Sequence, residues 1–412
     1  MFKNHLIIAF RTLGRGKIYT VLNVAGLSAG LACFALIAAW AMNELGYDTF
    51  HENYQRIYRV AGTVTTDSET FRQAVTSPPM AEALRNDFPE VETAVRLDKN
   101  DCIVRRGDKQ FLEDDVLFTD QSFFEMFSYR LSSGDQSRAL RDPFSIVLTE
   151  SMAAKYFGAE DPIGKAVTLF LFDRGGQGAT YTITGVIPDP PQNSHFTFNF
   201  LGSFATREVV APEAHMDWFR NRFYTYLLLK DGSDPAMLEE KLPAFAERHI
   251  GERMQALKLF YEYHLQPLAD IHLHSHLRYE IQSTGNANTV YIFVTIGIFI
   301  LLIACINYMN LATARSLNRA KEVGVKKVVG AGRGQLIRQF LTESFLVAAV
   351  SLVFSILLIE LCQPFFEQLT GKPMISLYSP NVLFLLIAAT AFAGFFSGSY
   401  PAFFLSAFKP IR

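Results

Sequence analysis

The sequence predicts an α-helical membrane protein with four transmembrane helices and a large α+β extracytoplasmic domain. Three observations lead there. Long stretches almost free of charge occur at 18–42, 289–314, 339–362 and 382–408. A single polar insertion, 43–288, separates the first stretch from the second, holds most of the acids, and is long enough for one large or two small domains. Between the second and third stretches, 315–338 carries Arg315, Arg319, Lys321, Lys326, Lys327, Arg333 and Arg338 against Glu322. Such a basic connection belongs on the cytoplasmic side.

Taken in order, 1–17 reads as a cytoplasmic amphipathic segment, since Lys3, Arg11, Arg15 and Lys17 precede the first span with no acid among them. The span 18–42 is too long for the core of a signal peptide and lacks a clear small-x-small cleavage site before Asn43, so it is expected to be retained. At ~1.5 Å per residue the apolar part of the second span crosses a ~30 Å hydrocarbon core. The third is interrupted by Glu360 and reaches full length only by including 337–344. The fourth closes on Lys409 and Arg412, and four crossings put both termini in the cytoplasm. The connection 363–381, with Glu367 balancing Lys372, reads as a short external turn.

Within the insertion, two stretches follow a strand, helix, strand pattern. The first places strands at 56–64 and 92–97 around a helix at 80–88. The second places strands at 223–230 and 259–265 around a helix at 235–249, with Asp234 as cap, Pro235 in the first turn, and Leu238, Leu242, Phe245 and Ala246 at helical spacing. Two such units at the ends of one insertion predict a single split βαβ subdomain, in which Val60 and Leu227 share a core. Between them, about 104–204 reads as mainly β and inserted in the first subdomain. Strands are expected at 145–148 and 180–187, and a helix at 150–157 capped by Thr149 and ended by Gly158.

A net charge of −2 with 19% charged residues argues against a nucleic-acid-binding chain. Of four cysteines only Cys102 lies in the insertion, so no disulfide forms within it. The segment from Gly158 to Gly164-Lys165 resembles a phosphate-binding loop, but it is one residue too long and Ala166 stands where a Mg²⁺-holding hydroxyl belongs. His272, His274 and His276 would share one face of a strand, weighed as a metal site against a solvated strand end. No Gly-x-Ser-x-Gly elbow marks a nucleophile. Asn307, Asn310 and Glu343, polar groups near membrane depth, read as interhelical hydrogen bonding and a helix end rather than an ion path. An enzyme is therefore not expected, nor a cofactor or metal in this chain.

In the basic connection, 320–329 is expected to form a short amphipathic helix ended by Gly330-Ala-Gly332, with Val325 and Val328 on one face. A basic helix lying on anionic lipid would use the same residues.

The motifs Tyr47-Asp-Thr-Phe-His-Glu-Asn-Tyr-Gln-Arg-Ile-Tyr-Arg59, Tyr156-Phe-Gly-Ala-Glu-Asp-Pro-Ile-Gly-Lys165, Thr182-Ile-Thr-Gly-Val-Ile187 and Ser194-His-Phe resemble the external core of the ABC transporter permeases of the MacB/FtsX type. Arg319-Ala-Lys-Glu-Val-Gly-Val-Lys-Lys-Val-Val-Gly-Ala331, continuing to Gln339-Phe-Leu-Thr-Glu343, is similar to that family's cytoplasmic connection. The resemblance implies a multi-pass protein of the inner membrane, with its main domain in the periplasm as a porter-like split βαβ piece and a sabre-like, mainly β insertion. It implies a dimer, formed with a second copy or a second permease half, beside an ABC ATPase that supplies ATP and Mg²⁺. The connection then becomes the coupling helix, with Arg319, Lys321, Glu322, Gly324, Val325, Lys326, Val328, Gly330 and Ala331 at the ATPase. Motion passed through the spans would serve export or extraction of a peptide, lipoprotein or antibiotic-like substrate; the alternative is an FtsX-like signalling complex that regulates an extracytoplasmic partner enzyme.

Overall fold

The structure is a computed structural model that describes residues 17–171, 177–371 and 379–407. It divides into a helical unit, within Met1–Leu45 and Ala287–Arg412, and a globular unit, Gly46–Asn286. Helix α1 is Lys17–Leu45; the segment 1–16 lies outside the described residues.

The globular unit opens with strands β1 (Ile57–Thr65) and β2 (Thr70–Gln73), helix α2 (Met80–Asp87), strands β3 (Val91–Arg106) and β4 (Lys109–Thr119) and the short helix α3 (Phe123–Met126). Strands β5 (Ser133–Gly134) and β6 (Ser145–Thr149), helix α4 (Glu150–Phe157) and strands β7 (Ala166–Leu171), β8 (Gly178–Ile187) and β9 (Phe200–Ser203) follow. Then come helices α5 (Ala205–Val210) and α6 (Pro212–His215), strand β10 (Tyr224–Leu229), helices α7 (Pro235–Glu239) and α8 (Leu242–Leu257), strand β11 (Phe260–Pro267) and helix α9 (Leu268–His274).

The two strand, helix, strand units interlock. Strand β10 inserts antiparallel between β1 and β3, and β1 inserts antiparallel between β10 and β11, so each unit's parallel pair is split by a strand of the other. Val60 and Leu227 meet in one core as expected, with Leu84 of α2 and Phe245 and Ile250 of α8 closing it. All six residues of β10 are buried because its other face carries Tyr224, Tyr226 and Leu228 into a second core, where Phe123, Phe127, Tyr129, Phe196 and Phe198 stack edge to face. Proline decides one departure: the single helix expected at 235–249 is two, because Pro243 cannot continue a preceding ladder but fits the first turn of a new one.

The mainly β piece is more than an insertion. Strand β3 pairs β10 through its first half and β7 through its second, and the ladder then runs from β3 to β4, β9, β6, β8 and β7 and back to β3. Six strands thus close on themselves, which removes their open edges. The closed ring shares β3 with the αβ sheet, and its interior holds Cys102, Phe118, Leu148, Tyr156, Leu169, Tyr181 and Phe200. Burial, then the charges of Glu113 and Asp101, push the Cys102 thiol up to about 12, so it stays protonated. Helix α4 stands where the sequence places it: Thr149 Oγ1 accepts from the Met152 amide and Gly158 takes φ +64°.

The helical unit adds α10 (Ala287–Val328), α11 (Arg333–Thr370) and α12 (Pro380–Ala407). With α1 these are four helices long and apolar enough to cross a membrane. Small residues set their spacing. A Cβ at Gly30 would lie 2.5 Å from that of Ala304, and one at Gly398 would lie 2.6 Å from Ser344 Oγ, so the backbones approach where no larger side chain fits. Tyr308 donates to Ser344 Oγ at 3.0 Å across the same packing. The expected external turn, 363–381, is shorter than its sequence suggests: Gln363 to Thr370 continue α11 and Gly371 ends it at φ +67°, while 372–378 lie outside the described residues.

Candidate functional site

The basic connection is where the structure departs most from the sequence reading. No separate helix follows the second span: α10 runs unbroken for 42 residues, ~63 Å at ~1.5 Å per residue, about twice a hydrocarbon core. Residues 315–328 contain no proline, and eight of the fourteen are Ala, Arg, Leu, Lys or Glu, so a ladder already nucleated in the apolar part continues past Ala314. The expected third span likewise begins earlier, at Arg333. Only 329–332 leave the helical state.

That break is a Schellman turn. The Ala331 amide donates to Lys326 O at 2.9 Å, the Gly330 amide donates to Lys327 O at 3.0 Å, and Gly330 holds φ +99°, a conformation that excludes most side chains. The next helix is capped in return, with Gln335 Oε1 accepting from the Gly332 amide at 3.3 Å.

Around this turn the side chains divide. Val323 is buried against Leu336, Phe340 and Ala402. Val325, Val328 and Val329 are 64%, 76% and 82% exposed, and their i, i+3, i+4 spacing puts them on one outward stripe. Lys326 Nζ reaches Gln339 Oε1 at 3.2 Å, Lys327 Nζ reaches Ser406 O at 2.8 Å, and Arg333 Nε reaches Ser406 Oγ at 3.3 Å. These cations therefore tie together the ends of α10, α11 and α12 beside the valines. Nothing within 4 Å would meet a Cβ at Gly324. The side chains of Arg319, Lys321 and Glu322 lie outside the described residues.

Two other motifs acquire structural roles that the sequence did not reveal. Asp48, at φ +59°, accepts from the His195 amide at 3.1 Å, its Oδ1 lies 2.9 Å from His195 Nδ1, and His195 Nε2 lies 2.7 Å from Tyr226 Oη. Asp48, His195 and Tyr226 are all buried, so they form a latch between the segment after α1 and the sheet rather than a place a substrate could reach. Only the spacing of 147 residues between the partners kept this from being legible. Tyr156, from another motif, donates to Glu113 Oε1 at 2.5 Å inside the ring, where Lys155 Nζ also reaches it at 2.6 Å. The Gly164-Lys165 loop leads into strand β7, not into the helix that a phosphate cradle requires. The histidine stretch is also corrected: His272 and His274 sit on α9, not on a strand, because 268–274 turns helical directly after Pro267. His272 is buried against Tyr47 with ring centroids 3.3 Å apart, and His274 pairs with Asp270.

This architecture has relatives. The MacB-like periplasmic core domain matches residues 20–245, and the FtsX-like permease C-terminal domain matches 294–410. The chain belongs to the MacB/FtsX-type permease family. A macrolide export ATP-binding/permease protein MacB of Chromobacterium violaceum is 23% identical over 300 residues, covering 72% of this chain and 42% of that protein. The protein of the same name from Agrobacterium fabrum is 23% identical over 414 residues, covering 96% of this chain and 58% of the relative. This permease chain thus spans about half the length of the curated relatives it matches. The crystal structure of the periplasmic region of MacB from Actinobacillus actinomycetemcomitans aligns at 14% identity and a TM-score of 0.34, covering 49% of this chain and 87% of the other.

Proposed function

We propose that this permease is the membrane subunit of an ABC transporter, passing the motion of an ATPase on another chain through the bilayer to its globular unit. The observation that supports this reading most is the exposed stripe Val325, Val328 and Val329 at the tip of a helix continuous with a membrane span. An apolar stripe costs free energy in water, and its rim of Lys326, Lys327 and Arg333 is itself bonded to neighbouring helix ends. A push on the stripe would reach α10, α11 and α12 together. Gly324, with open space around it, would let a partner's backbone come close. Arg319, Lys321, Glu322 and Ala331 complete the proposed contact.

In this reading 315–338 and both termini are cytoplasmic, the globular unit is in the periplasm, and ATP and Mg²⁺ are held by the ATPase. The permease pairs with a second copy or a second permease half, and the cargo is a peptide, lipoprotein or antibiotic-like molecule exported or extracted by the moving globular unit.

The test is Val325→Asp with Val328→Asp, leaving the cations in place. Co-purification with the ATPase and stimulation of ATP hydrolysis should both be lost while membrane insertion stays normal. Retained binding and coupling would overturn the proposal.

A further inference from the structure

Under α5 and α6, at the junction of the closed ring with the αβ sheet, the globular unit has a half-open cavity of about 200 Å³. That is below the roughly 300–1,000 Å³ of a drug-sized pocket, so its occupant is small. Its charged lining is Arg207, Arg220, Arg222 and one carboxylate, Asp98. Asp98 is buried and shared, with Arg207 Nη2 at 2.9 Å from Oδ2 and Arg222 Nη2 at 2.8 Å from Oδ1. His215 adds no charge at neutral pH, since burial and the Arg96 guanidinium hold it below its ordinary value.

The third guanidinium decides the matter. Arg220 is partly buried, and its side chain makes no hydrogen bond or ion pair with any described residue. An unpaired guanidinium in a partly sheltered cleft favours an anion. A guanidinium fork also matches a carboxylate in shape. Apart from His215 the remaining lining is apolar: Phe204, Val210, Ala211, Ala214 and Phe223.

We propose that this cavity binds an organic carboxylate carrying a short apolar group. Two sources share that chemistry: the free C-terminus of a peptide ending in an aliphatic residue, and a small free acid. Arg220 would clamp the carboxylate while the apolar group lies against Val210 and Ala214.

Calorimetry on the full chain in detergent tests this with N-acetyl-Ala-Ala-Val, its C-terminal amide, and N-acetylvaline. The free acid should bind, and the amide should bind about tenfold or more weakly, the loss expected for one charge-assisted pair. Arg220→Gln should weaken the acid by a similar factor without lowering the melting temperature, since no internal bond of the Arg220 side chain is removed. Ala214→Trp, which fills the cavity and keeps every arginine, should abolish binding. A peptide acid much tighter than N-acetylvaline identifies a peptide terminus, and equal binding identifies a free acid. Absence of binding, equal binding of acid and amide, displacement by inorganic phosphate as effective as by the acid, or unchanged affinity in both variants would overturn the proposal.

Discussion

The globular and helical units solve packing in opposite ways. The globular unit buries its largest side chains, among them Arg59, Tyr156, Tyr181, Tyr226 and a set of phenylalanines, and it buries charge when paired: Arg59 on Glu280, and Asp48 beside His195. The helical unit buries Ala32, Ala35, Ala39, Ala348 and Ala393 and the serines Ser351 and Ser355, while Ile303, Leu357, Leu361 and Phe384 face outward. In water, folding gains by removing large apolar surface; in lipid, apolar surface is already solvated, so close backbone approach and short hydrogen bonds decide association. One chain therefore follows two rules about which residues belong inside.

The two tryptophans allow that difference to be measured, since Trp40 lies in α1 against Phe293 and Trp218 lies against His249 in the globular unit. The largest expected effect is Leu227→Asp, which places an unpaired charge in the core shared with Val60 and should cost about 3 kcal/mol or more. The Trp218 transition should fall steeply and the Trp40 transition should not move; an unchanged Trp218 melting temperature would mean that β1 and β10 do not share that core.

Next is pH. Burial lowers His51 to about 4, with Asp48 opposing and His195 adding to the shift, and its Nδ1 accepts from the Ser128 amide at 3.1 Å. The unfolded chain, with its ordinary histidine, binds the proton more readily, so stability is full above pH ~6.5 and is lost as pH falls toward about 4, by roughly 2–3 kcal/mol. Melting followed at Trp218 between pH 7 and 4.5 should show this loss, and His51→Asn, which keeps an acceptor for Ser128, should flatten it. A slope that persists in the variant would assign it to another group.

The smallest effect belongs to the helical unit. Gly30→Leu must push α1 from Ala304 and should cost about 1–3 kcal/mol through overpacking. It should shift Trp40 fluorescence and leave Trp218 unchanged. Tolerance equal to that of an exposed position would break the comparison.

Local pattern made much of this legible. Apolar length marks the four spans, alternation and helical spacing mark the two interlocked units, and Thr149 and Gly158 bracket α4 because capping involves only neighbouring residues. The end of α10 was legible too, since only glycine takes φ +99° without strain at 330. Its continuity was not, because charge makes 315–319 read as a loop before a separate short helix, although no proline there breaks the helix.

What the tertiary structure alone decided rests on long-range partners. Closure of the ring depends on Cys102 finding Leu171 and Val116 finding Phe200. The latch depends on Asp48 meeting His195, and the cavity on Asp98 gathering Arg207 and Arg222. By itself the sequence determined most of the segments that are helix, strand or span, since those follow from dihedral preference and periodicity along a few residues. Register, closure and charge pairing follow from which distant segments fit against one another, and no local window contains both partners.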